Sequence, residues 1–348
     1  MKKGIKTALK WLLTTILIVV SFYFALKDIN IDELWVSLRT ADYFWVILSM
    51  PVIIASHYIR ALRWRTILKP IMNPGSTVNL FSAVMVGYFF NSIYPRLGEF
   101  IRPYVYAKRE NVSKSSVFAT IVVERVIDVI TLGFLFVIAF IISREKVANM
   151  LPGVDPQKIL FVSLLVLVVM IFSFYPPFIK FILNYLVKPF SSKIYERILD
   201  IFVKFRLGFT VIRQPSMYFR LISESLLIWL CYALPMYLMF FCFPFSQTID
   251  VSLSDALFLV IVSGIGVTIA PTPSGIGVMQ MLIMYAMIGL YKIPEEMAFA
   301  YATINWATSV FIQLTVGGAF VLRERITKIP ADMKDNSGDN NQTEMSTA

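Results

Sequence analysis

The sequence predicts an all-α polytopic membrane protein, with about six spanning helices and two re-entrant, broken-helix hairpins in an inverted-topology repeat. Three observations lead there. Of the residues, 57% are hydrophobic and 16% charged, with a mean hydropathy of +0.71, whereas a soluble domain carries roughly a quarter charged residues. Several apolar stretches reach the about 20 residues that cross a hydrocarbon layer. Basic and mildly acidic connections alternate between those stretches, as the positive-inside rule requires of a chain that crosses repeatedly. The formal charge of +10 therefore reads as contact with an anionic lipid surface, and nucleic acid is not an expected partner.

The first span runs from about Ala8 to Leu26 behind Lys2, Lys3 and Lys6, which puts the N-terminus in the cytoplasm. Its apolar run is too long for a cleaved signal peptide. Asp28, Asp32, Glu33 and Asp42 make the next connection external. The second span, about Tyr43 to Ile59, ends at Arg60, Arg63, Arg65 and Lys69, back inside. The apolar stretch Val78 to Tyr94 is followed by another basic segment, so it must leave and return on one side as a hairpin. Such irregular backbone survives at membrane depth only when buried in protein or lining a wet cavity. Span three, about Val117 to Ile142, leads out, and span four, about Ile159 to Ile179, returns.

A basic stretch from Lys180 to Arg220 carries apolar residues at helical spacing (Ile194, Ile198, Ile201, Phe202, Phe205). Both an interfacial amphipathic helix and a connector packed on the bundle fit that pattern. Span five is about Leu221 to Phe243. The stretch from Ala256 is broken at Pro271 to Gly277 and resumes, a second hairpin entered from outside. Span six, about Ala298 to Leu322, ends at Arg323 and Arg325, so both termini are cytoplasmic and the protein belongs in the cell membrane. Two repeats result, residues 1–150 and 151–330, the second including the amphipathic stretch 180–216; the polar tail 331–348 is expected to be disordered. Broken segments at corresponding positions of two inverted halves mark the substrate site of many secondary transporters.

The charged residues near the first break are the leading site candidates: Asn91, Pro95, Arg96, Gly98, Glu99 and Arg102. Ionisable residues in a membrane are costly and point to function, and guanidinium forks suit a lipid phosphate. A cytoplasmic loop obeying the positive-inside rule is the other reading. In span three, Glu124 and Asp128 are four residues apart and share a helix face, with Arg125 about 100° away. They can take a proton, meet an arginine of the first hairpin, or form a structural salt bridge. Arg60 and Arg63 with Trp64 read first as a head-group or interface anchor. The second break has no charge; Pro271, Pro273, Gly275 and Gly277 hold it, and Gln280 is the nearest long polar side chain. Glu224 reads as the partner of Arg220. The single histidine, His57, excludes a histidine metal cluster, Cys231 and Cys242 read as packing residues, and no cofactor is expected.

The motifs RALRW at Arg60 to Trp64, NSIYPRLGEFIR at Asn91 to Arg102, ERVID at Glu124 to Asp128 and PTPSGIGV at Pro271 to Val278 resemble the lysylphosphatidylglycerol synthase transmembrane-region, or flippase-like, family over about Leu9 to Arg323. That resemblance implies a lipid translocator. In fused synthases this region is thought to move aminoacylated phosphatidylglycerol between leaflets beside a soluble aminoacyl-transfer domain, so this chain is expected not to make the lipid itself. Many relatives carry glutamate where this sequence has Gln280. Some archaeal relatives are linked to polyprenyl-phosphate sugar metabolism. The expected partners are membrane lipids, either an anionic phospholipid or a polyprenyl phosphate, and a lipid-modifying enzyme. Alternatives are a membrane enzyme acting on a lipid-linked sugar phosphate, with Glu99 or Asp128 as acid or base, and a non-transporting membrane subunit.

Overall fold

A computed structural model of the chain describes residues 2–142, 215–270 and 272–324, with scattered positions between 155 and 196. Most of span four, most of the amphipathic stretch 180–216, Pro271 and the tail 331–348 lie outside the described residues.

Ten α-helices account for the described bundle: α1 (Lys2–Leu26), α2 (Ile31–Thr40), α3 (Tyr43–Leu68), α4 (Thr77–Ile93), α5 (Gly98–Glu110), α6 (Lys114–Ile142), α7 (Pro215–Phe240), α8 (Leu253–Ile269), α9 (Val278–Tyr291) and α10 (Glu295–Glu324). Among the described residues, five stretches are long and apolar enough to cross a membrane: α3, α6, Met217–Phe240 of α7, Pro273–Tyr291 and α10. A sixth results if Thr14–Leu26 and Ile31–Thr40, which meet at 89°, count as one bent span. The protein is an all-α multi-pass membrane protein.

Two differences from expectation matter. The connection after α1 is a helix: Asn30 caps α2 by accepting from the backbone N–H of Asp32 at 3.0 Å, and Asp32 and Glu33 sit at the positive end of the helix dipole. The second span does not stop at Ile59. It continues as α3 to Leu68, so Arg60, Arg63 and Trp64 lie within the helix and are buried.

Contacts define both hairpins. In the first, Gly98 abuts Gly87 and Asn91, while at the far end Asn79 donates to Glu110 at 2.7 Å, so α4 and α5 run antiparallel. Helix α5 has 13 residues, about 20 Å at the helical rise, short of the roughly 30 Å hydrocarbon thickness. In the second, Gly266 abuts Leu282, and Tyr291 donates to Asp255 at 2.8 Å at the far end. Helices α8 and α9 are therefore antiparallel too. Here the returning arm, with its 3₁₀ turn at Pro273–Gly275, is a stretch of 19 residues with a mean hydropathy of 1.5.

The halves interlock reciprocally. Helix α6 packs on its own hairpin arm α5 and on the foreign arm α8, and α10 packs on α9 and on α4. Helices α3 and α7 form the central pair, running antiparallel with Asp42 bonded to the Cys242 carbonyl at one end and Thr66 near Glu224 at the other. The hairpin tips meet beside α10, where Gln313 accepts from Ser92 at 2.7 Å and from Ser274 at 3.1 Å.

Candidate functional site

At the heart of the bundle, α3, α5 and α6 contribute one ionic cluster. Arg60 Nη1 lies 2.6 Å from Glu124 and 3.3 Å from Asp128; Arg63 Nη2 lies 2.5 Å from Asp128 and 3.6 Å from Glu124. Arg102 Nη1 is 3.0 Å from Glu124, and Arg125 Nη2 is 3.3 Å from both carboxylates. Arg63 and Glu124 are fully buried. The four-residue spacing of Glu124 and Asp128 aims both carboxylates at α3, whose Arg60 and Arg63, three apart, share a face. Neutral groups complete the shell. Tyr232 of α7 accepts from Arg60 Nη2 at 2.8 Å, Ser225 accepts from Arg63 at 3.1 Å, and Trp64 stacks under the Arg102 guanidinium at 3.9 Å.

This geometry corrects the reading of Arg60, Arg63 and Trp64 as an interface anchor. A basic cluster ends a span only when nothing in the bundle neutralises it, and here two carboxylates do. Glu224 bonds Arg220 at 2.8 Å and Thr66 at 3.2 Å. His57, buried against the Tyr88 ring at 4.1 Å, leaves both ring nitrogens without hydrogen-bond partners. Among the described residues no group of three or more His, Cys, Asp or Glu is placed to hold a metal.

A chamber of about 510 Å³ opens between this cluster and the two hairpin tips, within the size range of small-molecule sites. Arg60, Asn91, Arg96, Glu99, Arg125 and Asp128 face it from the first half; Thr268, Ser274 and Gly275 face it from the second. Leu132, Trp229 and Met279 give it apolar walls. Both tips hold left-handed backbone, at Arg96 (φ 60°) and Ser274 (φ 46°), a conformation that surrounding contacts must sustain. Arg96 Nη2 donates to the Thr268 carbonyl at 2.9 Å, tying one tip to the other.

Other sequence candidates lie elsewhere. Arg102 and Gly98 border a separate narrow cleft. Gly277 (φ 79°) packs against Ser21 and the Ile18 carbonyl of α1, and Gln280, 1% exposed, accepts from the Gly277 N–H at 2.8 Å. Pro95 and Pro273 shape the tips and are not among the chamber-lining residues. Residue patterns missed Tyr88, Tyr232, Trp229 and Gln313; polar-tipped side chains inside apolar helices were the available signal.

The sequence profile described as the lysylphosphatidylglycerol synthase TM region matches residues 11–317. The chain belongs to this family. Curated relatives include a UPF0104 membrane protein of Methanocaldococcus jannaschii, 26% identical over 340 residues that cover 90% of this chain and 96% of that protein. Another, from Pyrococcus horikoshii, is 24% identical over 300 residues, 82% of this chain and 88% of the relative. The glycosyltransferase AglD of Haloferax volcanii is 31% identical over 112 residues, 31% of this chain but 18% of that protein. All four motifs singled out in the sequence fall inside the stretch that the family profile covers, which is also the stretch that builds the cluster, the chamber and both tips.

Proposed function

We propose that this member of the lysylphosphatidylglycerol synthase TM-region family translocates an anionic lipid between leaflets, with the head group passing through the chamber. One observation carries the reading: a chamber of about 510 Å³ at the meeting of two hairpin tips, walled on one side by an arginine-rich ionic cluster and on the other by apolar and uncharged surface. Membrane lipids are then the partners, in the cell membrane. Repeats 1–150 and 151–330 rock about the chamber while α3 and α7 stay paired. The end that gathers Arg65, Arg109, Arg220 and Arg323 is cytoplasmic by the positive-inside rule.

Transport is testable with protein reconstituted into liposomes that carry a fluorescent phosphatidylglycerol, by chemically bleaching the label in the outer leaflet. Wild type exposes the inner-leaflet label to the bleach. Arg125, 44% exposed at its side chain and facing the chamber, is the variant of choice because its replacement spares the buried core. Arg125→Gln removes a charge-assisted contact, and the rate falls roughly tenfold or more. A wild-type rate equal to that of protein-free liposomes, with this lipid and with a polyprenyl phosphate, rejects the reading. The partial likeness to a glycosyltransferase favours a second: a membrane enzyme acting on a lipid-linked sugar phosphate. Sugar release by wild type that disappears in Glu99→Gln would bring it forward.

A further inference from the structure

The ionic cluster is unbalanced. Four guanidiniums (Arg60, Arg63, Arg102, Arg125) face two carboxylates, Glu124 and Asp128, in the described ion pairs. Glu99, which lines the space beside Arg60 and Arg125, joins none of those pairs, and counting it still leaves one positive charge in excess. Arg60, Arg63 and Arg102 are buried, and excess charge away from water is costly unless a counter-charge arrives.

Beside the chamber, α3, α4, α5 and α6 line a half-open cleft of about 70 Å³. A water needs roughly 10–15 Å³ of such space, so the cleft has room for about five water-sized atoms, the heavy-atom complement of a phosphate group. Three guanidiniums border it, from Arg60, Arg102 and Arg125, against one carboxylate, Glu99. Arg102 is 6% exposed, and only its Nη1 is engaged, by Glu124; Nε and Nη2 have no hydrogen-bond partner. Unsatisfied buried donors are rare and expensive. Gly98 opens α5 at the same cleft, with its N–H held by Asn91 Oδ1 at 2.7 Å, so the positive end of the α5 dipole adds to the field.

We propose that this cleft is a phosphate subsite, filled by the phosphate of a mono- or diester while the rest of the ligand occupies the adjoining chamber. The lipid source of that phosphate rests on the transport reading; the site itself does not. Arg96 has no part in it, being tied to the second hairpin tip.

The test is thermal melting of the full chain in detergent with inorganic phosphate or glycerol 3-phosphate, against chloride at matched ionic strength. Phosphate gives a saturable rise in Tm, on the order of 3 °C. Arg102→Gln abolishes it. Because that variant also disturbs a buried ion pair, Ile121→Phe is the second probe: Ile121 borders the cleft and not the chamber, so phenylalanine fills the subsite and leaves every charge in place. Gly264→Leu, which reaches into the chamber, keeps the phosphate response and slows lipid transport. Equal melting in phosphate and chloride, or an undiminished response in Ile121→Phe, overturns the subsite. If that happens while Gly264→Leu still slows transport, the transport reading stands alone; if the response behaves as expected and no variant alters transport, the transport reading fails instead. Nanodiscs separate the sources. A phosphate response present in phosphate-free galactolipid and absent in phosphatidylglycerol supports a lipid head group as occupant, and an equal response in both overturns the lipid as source.

Discussion

The two hairpins share a skeleton and differ in chemistry. Seven residues beyond the proline of each break stand Arg102 and Gln280, both buried. The eleventh residue of α6 is Glu124, and the eleventh of α10 is Asn305, also buried. Where the first half joins guanidinium to carboxylate, the second uses amides, hydroxyls and backbone. The contrast separates two tasks that one symmetric site would have to combine. Charge is concentrated on one wall of the chamber, and the opposite wall meets it through the Arg96 bond to the Thr268 carbonyl and through no ion pair among the described residues.

If charge is what makes the first half rigid, cutting its network costs far more than cutting the neutral counterpart. Glu124→Ala takes from the buried Arg102 its ion-pair partner among the described residues and lowers stability by about 3–5 kcal/mol. Asn305→Leu, which removes a buried neutral amide, changes it by about 1 kcal/mol or less. Denaturant titrations in detergent compare the two, and equal losses break the contrast.

The hairpins also close differently. A Cβ on Gly98 would sit 1.9 Å from the Gly87 carbonyl oxygen, backbone against backbone, whereas one on Gly264 meets nothing within 4 Å. Gly98→Ala therefore pushes α4 and α5 apart and costs about 1–3 kcal/mol, and Gly264→Ala stays within about 0.5 kcal/mol. Similar melting of the two variants would show that the tightness of the first hairpin is not what holds it.

Much of this was legible in the sequence, and what was not has physical causes. Apolar length and charge placement located α1, α3, α6, α7, α10 and both hairpins, because hydrocarbon admits little else. The end of α3 was misread because Arg60 and Arg63 look like a boundary until Glu124 and Asp128, more than sixty residues later, are seen to neutralise them. Helix α2 was missed because it is short and only Leu34 and Leu38 of its apolar residues pack on the core, Ile31, Trp35 and Val36 being exposed; its Asn30 cap was the overlooked sign. Asn91, Arg96, Glu99, Arg125 and Asp128 were found from their charge, polarity and nearness to a break. Tyr88, Tyr232 and Gln313 were not, since their roles exist only once three helices converge.

The tips offer a finer probe. Gln313 accepts from Ser92 in the first tip and Ser274 in the second, so Gln313→Leu removes the acceptor the two hydroxyls share and leaves Ser274 on Ser92 and Ser92 on the Tyr88 carbonyl. Stability falls by about 1–2 kcal/mol, and proteolysis of the reconstituted protein cuts the two tips at a raised rate. If only one tip becomes accessible, the tips are held independently and the shared node is not what couples the halves.

The smallest effect bears hardest on the division of labour. Gln280 caps α9 through the Gly277 N–H and is not among the chamber-lining residues, so its work is structural. Gln280→Ala loses that cap and about 1 kcal/mol, while Gln280→Glu keeps the acceptor oxygen. Lipid transport, normalised to folded protein, stays within about twofold in both, because a cap acts on the folded population and not on the transition state for transport. A large loss of transport in Gln280→Ala with unchanged melting would mean that the second hairpin has chemistry of its own at a residue that never meets the chamber, and charge in the first half would no longer explain where the ligand is held.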